Sequence, residues 1–184
     1  MSMSRYAFLM SSAAALAVTG AALAQSDFTQ DAPQLGSPVS AEAVSELDYV
    51  VLPDGSGLPD GSGSVDEGAR IYAMHCLACH GDKGQGGPND RLAGGHGSID
   101  SARPVKTLGS YWPYATTVFD YVRRAMPYQA PGSLSADEVY GLTAYLLYVN
   151  GIVDESVRLD ADSLPAVKMP NRDNFVWAWE PSAD

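Results

Sequence analysis

Apolar residues recur at intervals of three and four along one stretch of the chain, which is the spacing of one face of a helix. The members of this face are Val65, Ala69, Tyr72, Ala73 and Cys76. The segment Ser64-Val65-Asp66-Glu67 has the pattern of a capping box, in which serine and glutamate side chains satisfy each other's backbone amides. The pattern predicts a helix that begins after Ser64 and runs into the segment around Cys76. Gly68 leaves room on this helix for close contact with another helix.

Two further helices are predicted downstream. Ser135-Ala136-Asp137-Glu138 repeats the start signal, and Asn150-Gly151 is typical of a helix that ends in a left-handed residue. The apolar stripe between them consists of Val139, Leu142, Thr143, Leu146 and Val149. A shorter helix is predicted from Tyr114 to Arg124, because Pro113 precedes it and Met126-Pro127 follows it. These segments predict an all-α domain of three or more short helices.

The first 24 residues have the composition of a secretory signal peptide. One basic residue, Arg5, is followed by a stretch rich in Ala, Leu and Val that ends at Ala22-Leu23-Ala24, an A-x-A cleavage pattern. Polar residues interrupt this stretch, and it is short for a bilayer span. We therefore expect cleavage near Ala24, a periplasmic mature protein and no stable membrane span.

Residues 25–63 show little apolar periodicity. They contain Leu52-Pro53-Asp54-Gly55-Ser56-Gly57, which is followed at once by Leu58-Pro59-Asp60-Gly61-Ser62-Gly63. This duplication has the composition of a linker. We expect a flexible, solvated leader over residues 25–63 and a compact domain over residues 64–151. A C-terminal tail over residues 152–184 is expected to pack on the domain or on a partner.

The charge balance is acidic. The chain carries 11 basic and 22 acidic side chains, and removal of residues 1–24 with Arg5 leaves 10 basic against 22 acidic, a net charge of −12. This balance disfavours nucleic acid and anionic membranes as partners. A basic docking surface on a redox partner would be complementary, although dispersed acids that keep an exported protein soluble give the same balance.

Both cysteines of the chain lie in Cys76-Leu77-Ala78-Cys79-His80, the spacing for attachment of a c-type haem. Two thiols on one helical turn can form thioethers with the vinyl groups of one haem, and the next histidine can bind its iron. A thioredoxin-like pair would have the first cysteine at a helix N-terminus, whereas a helical segment precedes Cys76. A zinc site would need further ligands, and a disulfide would close a very short loop. The motif therefore favours one covalent haem c, with His80 as an axial ligand.

Met126 is the preferred second axial ligand of the iron. It lies between the middle and final helices, and Pro127 disfavours a helical conformation there and stiffens the loop that presents the thioether. Met169-Pro170 repeats the dipeptide within the tail and is the runner-up.

Three other side chains that could ligate iron are less favoured. Met74 and His75 lie too close to Cys76 to reach the opposite face of a haem. His96 is flanked by Gly94, Gly95 and Gly97 and is expected in a mobile surface loop.

The segment after the motif is expected to support the haem. The glycines of residues 81–87 would let the backbone pass close under it. The carbonyl of Pro88 is expected to accept the proton of the free His80 ring nitrogen. The candidate charges for the haem propionates are Arg91, Arg103 and Lys106, and the aromatic residues Tyr111, Trp112 and Tyr114 either donate to the haem or fill the core.

Residues 64–151, with the Cys76–His80 motif, Met126-Pro127 and the two flanking helices, resemble the compact soluble cytochrome c family. A narrower resemblance lies in residues 109–117, residues 121–127 and residues 164–175. These segments resemble the cytochrome subunit of periplasmic sulfite or sulfane dehydrogenases of the Sox thiosulfate-oxidising system.

In that family the cytochrome accepts electrons from a molybdenum subunit, which oxidises the sulfur compound, and passes them to a downstream cytochrome. The resemblance implies that Cys76, Cys79, His80 and Met126 are the haem residues and that catalysis belongs to the partner. The longer family members carry two haems, whereas this chain has a single attachment motif. Two alternatives remain, a free-standing shuttle between respiratory complexes and a haem with an open iron site that turns over peroxide or senses a gas.

Overall fold

The computed structural model describes residues 36–176, apart from the side chains at positions 45 and 46. The expected signal peptide lies outside the described residues, as do the first part of the leader and the last eight residues of the tail. The helices are α1 (Ala41–Leu47), α2 (Val65–His75), α3 (Leu77–His80), α4 (Ala115–Ala125) and α5 (Ala136–Val149). The strands are β1 (Ser62–Ser64) and β2 (Arg158–Asp160), and short 3-10 turns cover Asp82–Gly84, Leu164–Ala166 and Arg172–Asn174.

The helix boundaries follow from local sequence signals. Ser64 Oγ accepts from the Glu67 amide while the Glu67 carboxylate accepts from the Ser64 amide, so the first capping box is formed. Ser135 and Glu138 form the second capping box, at the start of α5. The three predicted helices are thus confirmed, and so is the expected all-α fold.

Helices α2, α4 and α5 form the core. α2 and α5 pack with their backbones in contact at Gly68 and Gly141, which confirms the close approach predicted at Gly68. α4 packs on α5 through the rings of Phe119 and Tyr140, whose centroids lie 4.5 Å apart. The largest fully buried side chains are Phe119, Tyr140, Leu142, Leu147, Leu159, Leu164, Met169, Val118, Val139, Thr116 and Thr143.

Residues 51–63 differ from the expected flexible leader, because they pack on the core. Val51 is buried, and the Tyr140 hydroxyl donates to the carbonyl of Pro59 at 2.9 Å. β1 pairs antiparallel with β2, with Gly63 opposite Leu159. Turns account for the linker-like composition of the duplicated segment, since Asp54 Oδ1 accepts from the Ser56 amide at 2.9 Å. The packed domain therefore begins upstream of Ser64.

The described part of the tail packs on the domain. Leu159, Leu164 and Met169 are buried in the core, and Asn171 Nδ2 donates to the carbonyl of Tyr111 at 2.8 Å. The tail thus braces the segment that leads into α4. Within residues 36–176, no helix is long and apolar enough to cross a bilayer.

Candidate haem site

A cavity of about 510 Å³ lies among α2, α3, α4 and α5. Cys76, Cys79, His80, Pro88 and Met126, the five residues predicted for the haem site, all line it. Its volume is in the range of cofactor and ligand sites, about 300–1,000 Å³. The fold therefore brings the motif and a methionine some fifty residues downstream to one concave site.

The two cysteines lie on one helical turn. The Cys76 amide donates to the carbonyl of Tyr72 at the end of α2, and the His80 amide donates back to the carbonyl of Cys76 at 2.9 Å. Burial, with a smaller contribution from Cys79, raises the pKa of the Cys76 thiol to about 11. Redox cysteines instead have a lowered pKa, since the thiolate is the nucleophile. The environment of Cys76 therefore argues against a thioredoxin-like pair.

The ring of His80 is oriented by a backbone carbonyl. Its Nδ1 donates to the carbonyl oxygen of Asp90 at 2.7 Å. Because a carbonyl can only accept, Nδ1 carries the proton and the lone pair of Nε2 is left for a metal. Asp90 supplies this oxygen, rather than Pro88 as expected. The Asn89 amide donates to the carbonyl of Cys79 at 2.9 Å, and this bond fixes the loop immediately before Asp90.

The glycine-rich loop after the motif folds back on its own backbone. Gly81 has φ +75°, and a Cβ there would lie 2.1 Å from the carbonyl oxygen of Gly86. The Gly86 amide donates to the carbonyl of His80 at 2.8 Å. A side chain at position 81 would therefore open the loop that ends α3.

Met126 caps the C-terminus of α4. Its amide donates to the carbonyl of Val122 at 3.0 Å, and the Met126–Pro127 peptide bond is cis. Among the described methionines it is the one that lines the cavity. Met169 is 0 % exposed and packs in the core, whereas Met74 is exposed. Met169, the runner-up, is accordingly a core residue.

The remaining histidines are less suited to bind the iron. His75 is exposed and lines the cavity next to the attachment motif. His96 is exposed and does not line it.

The cavity walls are apolar and its opening is aromatic and cationic. The aliphatic wall residues are Leu92, Leu108, Val118, Val122, Leu142 and Leu146. Trp112 also lines the cavity and packs edge-on against Tyr121, with ring centroids 5.7 Å apart. Of the three cations expected near the propionates, Arg91 and Lys106 line the cavity and Arg103 does not.

The two tyrosines that flank Trp112 have other contacts. The Tyr111 ring packs against Phe175 at 5.5 Å and lies 4.9 Å from Lys106 Nζ. Arg172 lies 4.4 Å above the Tyr114 ring. Tyr111 and Tyr114 thus connect the tail to the segment that precedes α4 and contains Trp112.

The residues present fit a c-type haem. Two thiols on one turn, an imidazole with its Nε2 lone pair free and a thioether line one apolar cavity, and two cations are available for carboxylates. The chemistry of this donor set matches the attachment and axial ligation that a haem c requires.

The chain is similar over most of its length to a chain of the sulfane dehydrogenase SoxCD from Paracoccus pantotrophus, whose crystal structure is known. The two are 45% identical with a TM-score of 0.73, over 79% of this chain and 72% of that chain. The chain belongs to the Sox-type c-type cytochrome subunits. This family binds haem c, in agreement with the chemistry of the cavity.

Two further similarities concern this Sox-type cytochrome. The family described as cytochrome C oxidase, cbb3-type, subunit III matches residues 63–146. A thiosulfate dehydrogenase from Psychrobacter arcticus is 26% identical over 115 residues, which cover 56% of this chain. The match spans about a third of that relative, 33% of its length.

Several residues at the site of this cytochrome were not predicted from its sequence. The Tyr72 hydroxyl donates to the carbonyl of Gly81 at 2.8 Å, and burial is the main cause that raises its pKa to about 12. Tyr121 lines the cavity opening, and Asn150 binds the backbone at Leu92 and Gly94. The sequence marks Asn150 as the end of a helix. This signal does not show that its side chain holds the loop at Leu92 and Gly94.

Proposed function

We propose that this Sox-type cytochrome is a periplasmic carrier of single electrons with one covalently attached haem c. It accepts electrons from a molybdenum-containing dehydrogenase subunit that oxidises a sulfur compound, and it passes them to a downstream cytochrome. The observation that carries the proposal is the shared cavity of Cys76, Cys79, His80 and Met126. The 45% identity to a chain of sulfane dehydrogenase SoxCD supports the sulfur-oxidising context.

When bound, haem c supplies an iron centre that takes up and releases one electron. Cys76 and Cys79 hold the group through thioethers, and His80 offers Nε2 because Asp90 holds the proton on Nδ1. The thioether of Met126 is the second ligand, and a methionine and histidine pair favours a raised potential. The aliphatic side chains of the wall would surround the group with apolar surface and limit the access of water to it.

Electrons enter or leave at the aromatic opening of the cavity. Tyr128 is 79% exposed and Tyr121 47% exposed, and both line the cavity. Exposed aromatic residues are common at protein interfaces because they offer a large contact area. The net charge of −12 for the mature chain suits a partner with a basic docking surface.

The first experiment measures haem attachment. The full chain is produced with a c-type cytochrome maturation system and its mass is measured after removal of free haem. We expect the mass of the mature polypeptide plus one haem. A Cys76→Ala, Cys79→Ala double variant is the matched control and is expected at apoprotein mass. A colourless wild-type protein at apoprotein mass would overturn the proposal.

The second experiment tests the partner. The oxidised cytochrome is mixed with sulfite or thiosulfate, with and without a purified molybdenum dehydrogenase subunit, and haem reduction is followed by absorbance. We expect reduction only in the presence of the subunit. Equal haem reduction without the molybdenum subunit would contradict the proposal that the cytochrome accepts electrons from that subunit. If the cytochrome stays apart from the subunit and instead reduces a terminal oxidase, the free-standing shuttle is correct.

A further inference from the structure

We propose that residues 49–53, here called the strap, hold α4 in the position from which Met126 binds the haem iron, with Asp120 as the positioning residue that joins strap and helix. The inference rests on the proposed function, because it assumes that Met126 is a ligand. It assigns a role to a segment that the sequence predicts to be part of a flexible leader.

Three contacts join the strap to α4. The Val51 amide donates to Asp120 Oδ1 at 2.9 Å, and Thr116 Oγ1 donates to the carbonyl of Pro53 at 3.1 Å. The guanidinium of Arg123 lies 5.5 Å from the centre of the Tyr49 ring. Thr116 and Asp120 are four residues apart, so they share one face of the helix. The strap therefore contacts α4 along more than one turn.

Other residues of α4 face the haem cavity. Val118, Tyr121 and Val122 line it, and the amide of Met126 donates to the carbonyl of Val122. α4 is thus held between the strap and the cavity. Asp120 precedes Met126 by six residues, which is about 9 Å of helix rise. A helix is stiff over this distance, so a shift at Asp120 displaces Met126 as well.

Asp120 places a carboxylate at a buried position, which costs free energy. It is 7% exposed, and besides the Val51 amide its carboxylate accepts from Arg124 Nε at 3.0 Å and from Arg124 Nη2. Burying a carboxylate costs more free energy than burying an aliphatic side chain of similar size. Packing alone would therefore favour an apolar residue at this position. The carboxylate instead provides a directional bond to a segment 69 residues upstream.

The effect of the strap on Met126 can be measured as the access of an external ligand to the haem iron. An external ligand binds the oxidised haem only in molecules in which Met126 has left the iron. Its apparent affinity therefore rises in proportion to the fraction of molecules in this open state. Imidazole is a suitable probe because it competes with the methionine for the same position. Imidazole affinity thus reports how often Met126 leaves the iron, and it does not depend on electron-transfer activity.

The test is an imidazole titration of the oxidised, haem-loaded full chain. In Asp120→Ala, which removes the acceptor, we expect about tenfold tighter binding than in wild type. Val51→Pro removes the donor without altering α4, and the same tenfold change is expected. Asp120→Asn keeps an oxygen for the Val51 amide, so its affinity is expected within twofold of wild type. If Asp120→Ala does not yield haem-loaded protein, Val51→Pro and Asp120→Asn carry the comparison.

The matched control is Asp137→Ala. Asp137 Oδ1 accepts from the Ser62 amide at 2.7 Å, so it also joins the upstream segment to a helix, but that helix is α5. We expect its imidazole affinity to stay within twofold of wild type. If Asp137→Ala matches Asp120→Ala, the effect is general loosening and the strap has no specific role.

Met126→Ala separates failure of this inference from failure of the proposed function. We expect it to bind imidazole more tightly than every other variant, because the competing ligand is gone. If Met126→Ala behaves in this way while Asp120→Ala and Val51→Pro match wild type, the strap inference is overturned and the ligand assignment stands. If Met126→Ala itself matches wild type, the ligand assignment is wrong and the strap inference is lost with it.

Discussion

Gly68 in α2 packs directly on the backbone of Gly141 in α5, and a Cβ built on Gly68 would lie 1.8 Å from the Gly141 carbonyl oxygen. The converse substitution is less crowded, since a Cβ on Gly141 would lie 3.1 Å from the amide nitrogen of Gly68. The two positions therefore differ in their tolerance of a side chain, although the two glycines contact each other. Their contact sets the distance between the two helices that carry most of the core.

Gly68→Ala is expected to lower the free energy of unfolding by about 3 kcal/mol, because the backbone of α5 must move away. Gly141→Ala is expected to cost about 1 kcal/mol or less, since alanine also favours the helix. Urea unfolding of the two haem-loaded variants, followed by circular dichroism, measures both values. Equal destabilisation by the two substitutions would contradict the asymmetric contact.

Met126 and Met169 allow a direct comparison of the proposed iron ligand with a core residue. Met126→Ala is expected to abolish the near-infrared sulfur-to-iron band and to lower the reduction potential, because the thioether bond is lost. Met169→Leu is expected to leave both unchanged and to cost less than about 1.5 kcal/mol of stability, as volume-conserving core substitutions do. Absorbance spectra and a redox titration of each holoprotein check this. A band that survives in Met126→Ala and disappears in Met169→Leu would reverse the assignment.

The helices could be predicted from the sequence because their signals are local. Both capping boxes lie within four consecutive residues, and the apolar faces of α2 and α5 repeat over a few turns. The attachment motif is also local. Cys76, Cys79 and His80 could therefore be identified as candidate haem residues without knowledge of the tertiary structure.

The contacts that were missed join residues far apart in the chain. β1 pairs with β2 almost a hundred residues downstream, and Val51 binds Asp120 across 69 positions. No local pattern specifies such pairs, so the upstream segment was interpreted from its composition alone. The carbonyl that orients His80 was misassigned for a related reason. Whether Pro88 or Asp90 faces the ring depends on the path of the loop, which is held by the backbone bond from the Asn89 amide to the Cys79 carbonyl.

Glu67 links the first capping box to β2 and makes stability depend on pH. Hydrogen bonds from the Ser64 amide and hydroxyl, and then from Arg158, lower the pKa of Glu67 from 4.5 to about 2. A lowered pKa contributes stability that is present above the unfolded value, near 4.5, and is lost as the pH falls towards 2. Between these values the unfolded chain binds a proton that the folded chain does not.

The Glu67→Gln variant tests this pH dependence. Its free energy of unfolding is expected to fall less steeply than that of wild type between pH 4.5 and pH 2. The exposed Asp66, in the same helical turn, provides the control Asp66→Asn, which is expected to keep most of the wild-type slope. Urea unfolding at a series of pH values gives the slopes. A Glu67→Gln slope equal to that of wild type would mean that the carboxylate is not linked to folding.

Asn150 holds the loop that forms one wall of the cavity. Its Oδ1 accepts from the Gly94 amide at 3.1 Å, and its Nδ2 donates to the carbonyls of Leu92 and Leu146 at 3.2 and 2.8 Å. The side chain is 4% exposed, so water does not readily replace these bonds. Asn150→Ala would remove this partner from the Gly94 amide and the Leu146 carbonyl, whereas the Leu92 carbonyl keeps the Leu108 amide at 3.3 Å. Each such group costs about 1–3 kcal/mol.

We expect Asn150→Ala to lower the free energy of unfolding by about 2–3 kcal/mol and to speed hydrogen exchange of the Gly94 amide. Asn174→Ala is the control. The Asn174 side chain is exposed, and its Nδ2 donates to Asn171 Oδ1 at 3.0 Å. Its cost is expected to be about 0.5 kcal/mol or less. If Asn150→Ala destabilises the protein while exchange at Gly94 stays at the wild-type rate, Asn150 acts on the end of α5 alone. Faster exchange at Gly94 instead assigns the loss to the loop, and the wall residue Leu92 then moves with it.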